Sequence, residues 1–165
     1  MRKPLAFGIP VAGCAVALAV LPASPAAAVE TAPARPQVVT GSANLTSGQV
    51  VPGRGDRNGS GRFSYRIDDQ RLCYRLTVRV SQRPTAAYIH RGRMGRTGPA
   101  VVRLAVPPRN GTVSACIRAV PNDRDTRNRL SRRELNQISR NPSAFYVQVH
   151  TTRYPDGAIR GQLRD

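Results

Sequence analysis

Arg62-Phe63-Ser64-Tyr65-Arg66-Ile67 and, a few residues on, Arg71-Leu72-Cys73-Tyr74-Arg75-Leu76-Thr77-Val78-Arg79-Val80 alternate strictly between two kinds of side chain. Phe63, Tyr65 and Ile67 point one way, and Arg62, Ser64 and Arg66 the other. Leu72, Tyr74, Leu76, Val78 and Val80 form a longer apolar row, opposed by Arg71, Cys73, Arg75, Thr77 and Arg79. Successive side chains of a strand leave on opposite faces, so a period of two over this length predicts half-buried antiparallel strands. Val101–Val106 and Thr112–Arg118 read as further strands joined across Pro107–Gly111, where Asn110-Gly111 is a strong turn signal. Phe145–Thr151 and Ala158–Leu163 close the chain as two strands around the turn Tyr154-Pro155-Asp156-Gly157.

One helix is specified, near 131–140. Ser131 and Glu134 stand at capping-box spacing, where each side chain satisfies an orphan backbone donor. Leu130 and Leu135 flank the cap at staple positions, and Leu135 with Ile138 gives a narrow apolar stripe. Pro142 stops the helix and pushes Asn141 toward extended geometry. Short strands, frequent turns and one short helix predict an all-β antiparallel sandwich.

Arg2 and Lys3, the apolar run Leu5–Leu21 and the small residues Ala26-Ala27-Ala28 read as a signal peptide over residues 1–28, cleaved before Val29. The run is short for a membrane span. Val11-Ala12-Gly13-Cys14 offers an alternative, a lipoprotein anchored through Cys14, but Ala15–Leu21 continues the apolar stretch where a lipoprotein turns polar. Residues 29–39, with Pro33 and Pro36, read as a flexible leader, and 40–164 as one domain. Signal cleavage leaves Cys73 and Cys116, and an even pair in an exported chain predicts a disulfide. Its loop of about 40 residues would contribute ~4 kcal/mol. Both cysteines fall on the arginine- or threonine-bearing side of their strands, which places the bridge between nearby strands or at a sandwich edge.

The segments Leu72-Cys73-Tyr74, Ala87-Tyr88-Ile89-His90-Arg91-Gly92 through Gly98-Pro99-Ala100-Val101-Val102, Phe145–Thr151 and Tyr154–Leu163 together resemble the CHRD domain. That domain is named after chordin, a secreted antagonist of bone morphogenetic proteins, and occurs also in bacterial secreted proteins. The resemblance implies an extracellular immunoglobulin-like or superoxide-dismutase-like β-sandwich whose role in single-domain members is undefined. The family's His-x-His segment is similar to a copper-ligand strand of the copper/zinc superoxide dismutases. Here position 88 is tyrosine, and Ala158 stands where the family commonly carries glutamate, which argues against an inherited metal site.

His90 and His150 are the only histidines, and their rings meet if their strands are neighbours. A copper or zinc site wants three or four ligands, and two histidines with oxidised cysteines are too few, so these metal candidates read as structural, bonded to backbone or tyrosine, and no cofactor is implied. No nucleophile motif and no evident carboxylate pair is present, so an enzyme is not expected. Asp123 and Asp125 suggest a calcium loop, but Arg127 and Asn128 occupy places where an acceptor and glycine are needed.

The net charge is +17, and Lys3 is the only lysine. Arginine grips phosphate and carboxylate bidentately, though a GC-rich genome also writes basic positions as arginine. Arg91, Arg93 and Arg96 sit in a basic, glycine-rich loop and are the candidate anion-binding residues. Arg124, Arg127, Arg129, Arg132, Arg133 and Arg140 form a second basic region around the helix. Partners expected of such a monomer are a cell-wall or extracellular polyanion, or a secreted protein. Nucleic acid is disfavoured because the few aromatics lie mostly in core rows and leave no stacking platform. Arg54-Gly55-Asp56 reads as a chance match to an integrin-binding tripeptide. Asn44, Asn58 and Asn110 begin glycosylation sequons. The competing function is a metal-binding, possibly degenerate, relative of superoxide dismutases.

Overall fold

The computed structural model describes residues 38–122 and 129–165. The segment expected to be a signal peptide, with Cys14, the expected leader up to residue 37, and Asp123, Arg124, Asp125, Arg127 and Asn128 lie outside the described residues. Eight strands form one antiparallel sheet curled into a half-barrel. They are β1 (Val39–Thr46), β2 (Ser60–Asp68), β3 (Arg71–Arg79), β4 (Pro84–Arg91), β5 (Ala100–Arg103), β6 (Thr112–Arg118), β7 (Phe145–Thr151) and β8 (Ile159–Gln162). Their order across the sheet is β5-β4-β7-β8-β1-β2-β3-β6. The expected all-β antiparallel architecture is therefore present, with its two layers joined into a continuous sheet. The join is narrow. Between β8 and β1 it consists of the pair Thr46↔Arg160, reinforced by the bridge Ser42↔Arg164.

The alternation that opened the argument sets the core. Phe63, Tyr65, Ile67, Leu72, Tyr74, Leu76 and Val78 are all buried, and their neighbours on the same strands face outward. They pack against Ala87, Ile89, Val147, Val149 and Ile159 from the other half of the sheet. Ala105 N–H donates to the Tyr74 hydroxyl at 2.7 Å, tying one half to the other. The helix α1 (Arg132–Arg140) carries both halves of the expected capping box: Ser131 Oγ accepts from Glu134 N, and Glu134 Oε2 accepts from Ser131 N. Leu130, Leu135 and Ile138 are buried in the same core.

Two expectations need correction. The strand anticipated over Val101–Val106 ends at Arg103. Leu104 N–H still bonds Ala87 O, but the next donor, Ala105 N–H, turns to Tyr74 and leaves the ladder. β5 and β6 are also not neighbours across the Pro107–Gly111 turn. They lie at opposite edges of the sheet, and the segment between them crosses from one edge to the other. Asn110, at φ 53°, does turn the chain there, and its Oδ1 accepts from Val80 N at 3.0 Å.

Cys73 and Cys116 face each other in the β3–β6 register and are bridged, with Cα atoms 3.9 Å apart. The disulfide lies on the outer face and fastens the edge strand β6 to its neighbour, as the parity of the two cysteines predicts.

Candidate functional site

On the outer side of β4, β7 and β8 the alternation places Tyr88, His90, Tyr146, Gln148, His150, Arg160 and Gln162. A half-buried strand exposes such residues, yet Tyr146, Gln148, Arg160 and Gln162 are all buried here. The Gly92–Pro99 loop and the Tyr154–Gly157 turn supply the partners that close over them. Arg160 Nη2 donates to Arg93 O at 3.0 Å and Arg96 O at 2.8 Å. Gln162 Nε2 lies within bonding distance of the carbonyls of Gly92, Ser143 and Phe145. Gln148 Nε2 donates to Asp156 O. Gly98 N–H donates to the Tyr146 hydroxyl at 3.2 Å. The result is a second interior, polar and walled by backbone carbonyls. Desolvation makes each bond in it worth more and each gap costlier.

The rings in this layer stack. The Arg160 guanidinium lies 3.5 Å from the Tyr146 ring centroid, and Tyr146 stacks on His90 at 4.9 Å with planes 5° apart. A guanidinium over a desolvated aromatic face is stabilised by the ring's quadrupole. Burial nevertheless pushes the Arg160 pKa down, opposed by Tyr146.

β4 and β7 are neighbours, and the two imidazoles meet with centroids 6.2 Å apart. Tyr88 stands edge-on to both, at 5.8 Å from each. Both histidines adjoin a register shift. The β4–β5 register slips between Ile89 and His90, and the β4–β7 register slips between Pro84 and Ala86, the latter opposite His150. Bulges of this kind re-aim side chains. His90 Nδ1 is 3.0 Å from Gly98 O and His150 Nδ1 is 2.7 Å from Pro155 O. A carbonyl only accepts, so each Nδ1 carries the proton and each Nε2 keeps a lone pair. Both Nε2 atoms are shut off from solvent and have no partner. Burial depresses the His90 pKa; the Gly98 carbonyl opposes this, and the charges of His150 and Arg160 add to it.

The candidate anion-binding arginines divide. Arg93 and Arg96 are exposed on the loop whose carbonyls Arg160 holds. Arg91 turns to the helix instead: its Nη2 donates to Gln137 Oε1, and its guanidinium lies 5.7 Å from the Phe145 ring. Among the other basic residues named from sequence, Arg132 donates to Gln70 Oε1, and Arg129, Arg133 and Arg140 are described without an ion-pair partner.

The register gathers a larger basic surface elsewhere. Across β1, β2, β3 and β6 the outer face reads Asn44–Arg62–Thr77–Thr112, then Ser42–Ser64–Arg75–Ser114, then Thr40–Arg66–Cys73–Cys116. Arg71 and Arg118 face each other in the following row, and Arg79 lies opposite Ser60. Hydroxyls surround the arginines, and one carboxylate, Asp68, reaches them. Its 3.5 Å contact with Arg71 is the single ion pair among the described residues. Arg66 and Arg75 flank a shallow depression of about 330 Å³ floored by Ser64, Cys73 and Ser114. Sequence reasoning found each of these arginines but not their juxtaposition, because alternation gives the face and only pairing gives the row.

Asp56 of the Arg54-Gly55-Asp56 tripeptide is 2% exposed, and its carboxylate accepts from Ser81 N at 2.6 Å and Asn58 N at 3.2 Å. Asp56 opens the turn that follows, accepting from Gly59 N at 2.7 Å through its carbonyl, and is not displayed for a partner. Asn44, Asn58 and Asn110 are exposed. Among the described residues, no group of three or more His, Cys, Asp or Glu side chains converges, and no helix is long and apolar enough to cross a membrane.

An antiparallel half-barrel with a bridged edge strand, one capped helix and a polar layer under a glycine-rich loop defines a class of small β-rich domain. The chain belongs to the CHRD domain family, whose model matches residues 41–163, nearly its whole length. No curated protein and no solved structure matches it.

Proposed function

We propose that this protein is a secreted, non-enzymatic binding module that holds an anionic polymer on the outer face of β1, β2, β3 and β6. The observation that carries this reading is the row-by-row assembly of Arg62, Arg66, Arg71, Arg75, Arg79 and Arg118 on one face with a single carboxylate among them. Alternate residues of a strand are about 7 Å apart and adjacent strands about 5 Å apart. The guanidinium stems therefore form a two-dimensional grid, suited to repeated sulfate, phosphate or uronate groups on a linear chain. Arginine supplies bidentate donors, and the interspersed Ser and Thr hydroxyls add neutral ones. Export is supported by the signal-like sequence of residues 1–28 and by a disulfide, which persists in oxidising compartments.

The test compares two triple variants of equal charge. Arg62, Arg66 and Arg75 are changed to Gln in one, and Arg91, Arg93 and Arg96 in the other. Binding to a sulfated glycan and to a polyphosphate-bearing wall polymer is measured at two salt concentrations. Loss of three contacts from the sheet face should weaken binding by about tenfold or more and flatten the salt dependence. The loop triple should cost much less. Equal losses would reduce the interaction to diffuse attraction by net charge, and a larger loss from the loop triple would move the site there.

A further inference from the structure

From the two unpartnered, carbonyl-anchored imidazoles we infer a site for one soft monovalent cation, Cu(I) in chemical class, held between His90 Nε2 and His150 Nε2. This inference is independent of the polymer-binding face, which lies on other strands.

Metal-binding histidines commonly donate their second N–H to a carbonyl, which fixes tautomer and orientation and raises ligand basicity. Both histidines do this here, through Gly98 O and Pro155 O. The nitrogens left over are buried and unsatisfied. An orphaned buried acceptor is costly, and two of them on neighbouring rings ask for a shared partner.

The separation fits a two-coordinate ion. A metal–nitrogen bond of about 2 Å on each side, with roughly 1.1 Å from each nitrogen to its ring centre, puts centroids about 6 Å apart in a linear arrangement. The observed separation is 6.2 Å, with the ring planes 43° apart. Linear coordination leaves the rings free to rotate about the bond axis, so that tilt is compatible with it.

Charge selects the ion. Both donors are neutral, and no third His, Cys, Asp or Glu side chain joins them among the described residues. The guanidinium of Arg160 lies on the far side of the Tyr146 ring that stacks on His90. A zinc ion takes four ligands, at least three of them commonly from protein side chains, and finds two here among the described residues. A divalent charge beside Arg160 in a desolvated layer is doubly penalised. A monovalent ion with a preference for imidazole and low coordination number meets both constraints. Tyr88 stands edge-on to both rings, 5.8 Å from each.

The experiment uses the mature chain and Ag(I) as a redox-inert probe, with Cu(I) under reducing conditions and Zn(II) in parallel arms. After desalting, the wild-type protein should retain one Ag(I) or Cu(I) per chain and no Zn(II). Nitrogen-15 spectra of the wild type should show Nε2 of both histidines shifting on Ag(I) addition while both Nδ1 resonances stay protonated; this readout needs no variant to fold. His90→Gln and His150→Gln should each lower Ag(I) affinity by more than about a hundredfold, beyond what loss of an orienting neighbour alone costs. Met94→Leu should leave it unchanged, because that exposed thioether lies at the loop tip. Absence of a stoichiometric ion would overturn the inference and leave a water bridging the two lone pairs. Loss of the ion in Met94→Leu, or equal retention of Zn(II), would overturn it equally.

Discussion

Arg160 supports the loop above it, and its replacement tests whether the guanidinium or merely its bulk matters. Its Nη2 reaches Arg93 O and Arg96 O, and its plane lies on Tyr146. Hydrogen bonds to a charged donor contribute about 1.5–3 kcal/mol each, so the two together amount to roughly 3–6 kcal/mol gross. A stacked, desolvated cation adds about 2 kcal/mol. Against this stands the cost of keeping a cation dry with no carboxylate beside it, several kcal/mol. Arg160→Met removes both sides of that balance and leaves the loop carbonyls to be rehydrated. The expected net loss is about 1–3 kcal/mol, a fall in Tm of roughly 5–10 °C for a domain of this size. Arg160→Lys should be worse than Arg160→Met. Lysine retains a compact, strongly hydrated charge in the dry layer but lacks the planar face that lies on Tyr146. Thermal unfolding gives the order of stability, and amide exchange over Gly92–Gly98 reports the loop, which should open faster in both variants. A lysine variant as stable as the wild type would refute the guanidinium argument. Unchanged exchange over the loop would refute its tethering.

Reducing the Cys73–Cys116 bridge, or replacing both cysteines by serine, should cost about 2–4 kcal/mol in urea unfolding, since 43 residues of chain are released. Ser131→Ala removes the hydroxyl half of the capping box, leaving the backbone N–H of that position bonded to Glu134, and should cost about 1 kcal/mol, read from the urea midpoint. Gly161→Ala would place a methyl group 2.7 Å from Asn44 O at the β8–β1 seam, for an expected loss of about 1–3 kcal/mol. For Asp56, burial raises the carboxyl pKa, but hydrogen bonds from Ser81 and Asn58 outweigh it and hold the group below its ordinary value of 3.8. The unfolded chain therefore binds its proton first as pH falls. The stability advantage of wild type over Asp56→Asn should be complete above that ordinary value and decline as pH drops through the folded-state value; an advantage unchanged at pH 2 would contradict this.

The inner half of this molecule was readable from the chain. Phe63 to Val80 displays its two faces directly, Ser131 and Glu134 announce their helix, and the parity of Cys73 and Cys116 places the bridge off the core. Pairing order was not readable. Nothing local to Val101–Arg118 says that β5 and β6 part company, because that choice depends on Ala105 meeting Tyr74 across the core. The same limit hid the polar layer. Gln148, Arg160 and Gln162 stand at solvent-side positions of their strands, and only the fold brings the Gly92–Pro99 loop over them. The basic sheet face was half legible: each arginine could be assigned a side, but the rows needed the register.

The order of strands has a consequence for how the molecule comes into being. β8, made last, lies in the middle of the sheet, between β7 and the first strand β1. Emerging N-terminus first from a ribosome, the chain can pair β1 with β2 and β2 with β3, and later β4 with β7. The hydrogen-bonded ladder of the two half-sheets stays interrupted until Ile159–Gln162 arrives to join them. A contact between the first and last strands spans nearly the whole domain, and such distant closures are slow. The continuous sheet thus exists only once β8 has emerged, and every residue before it can be made without the seam being closed.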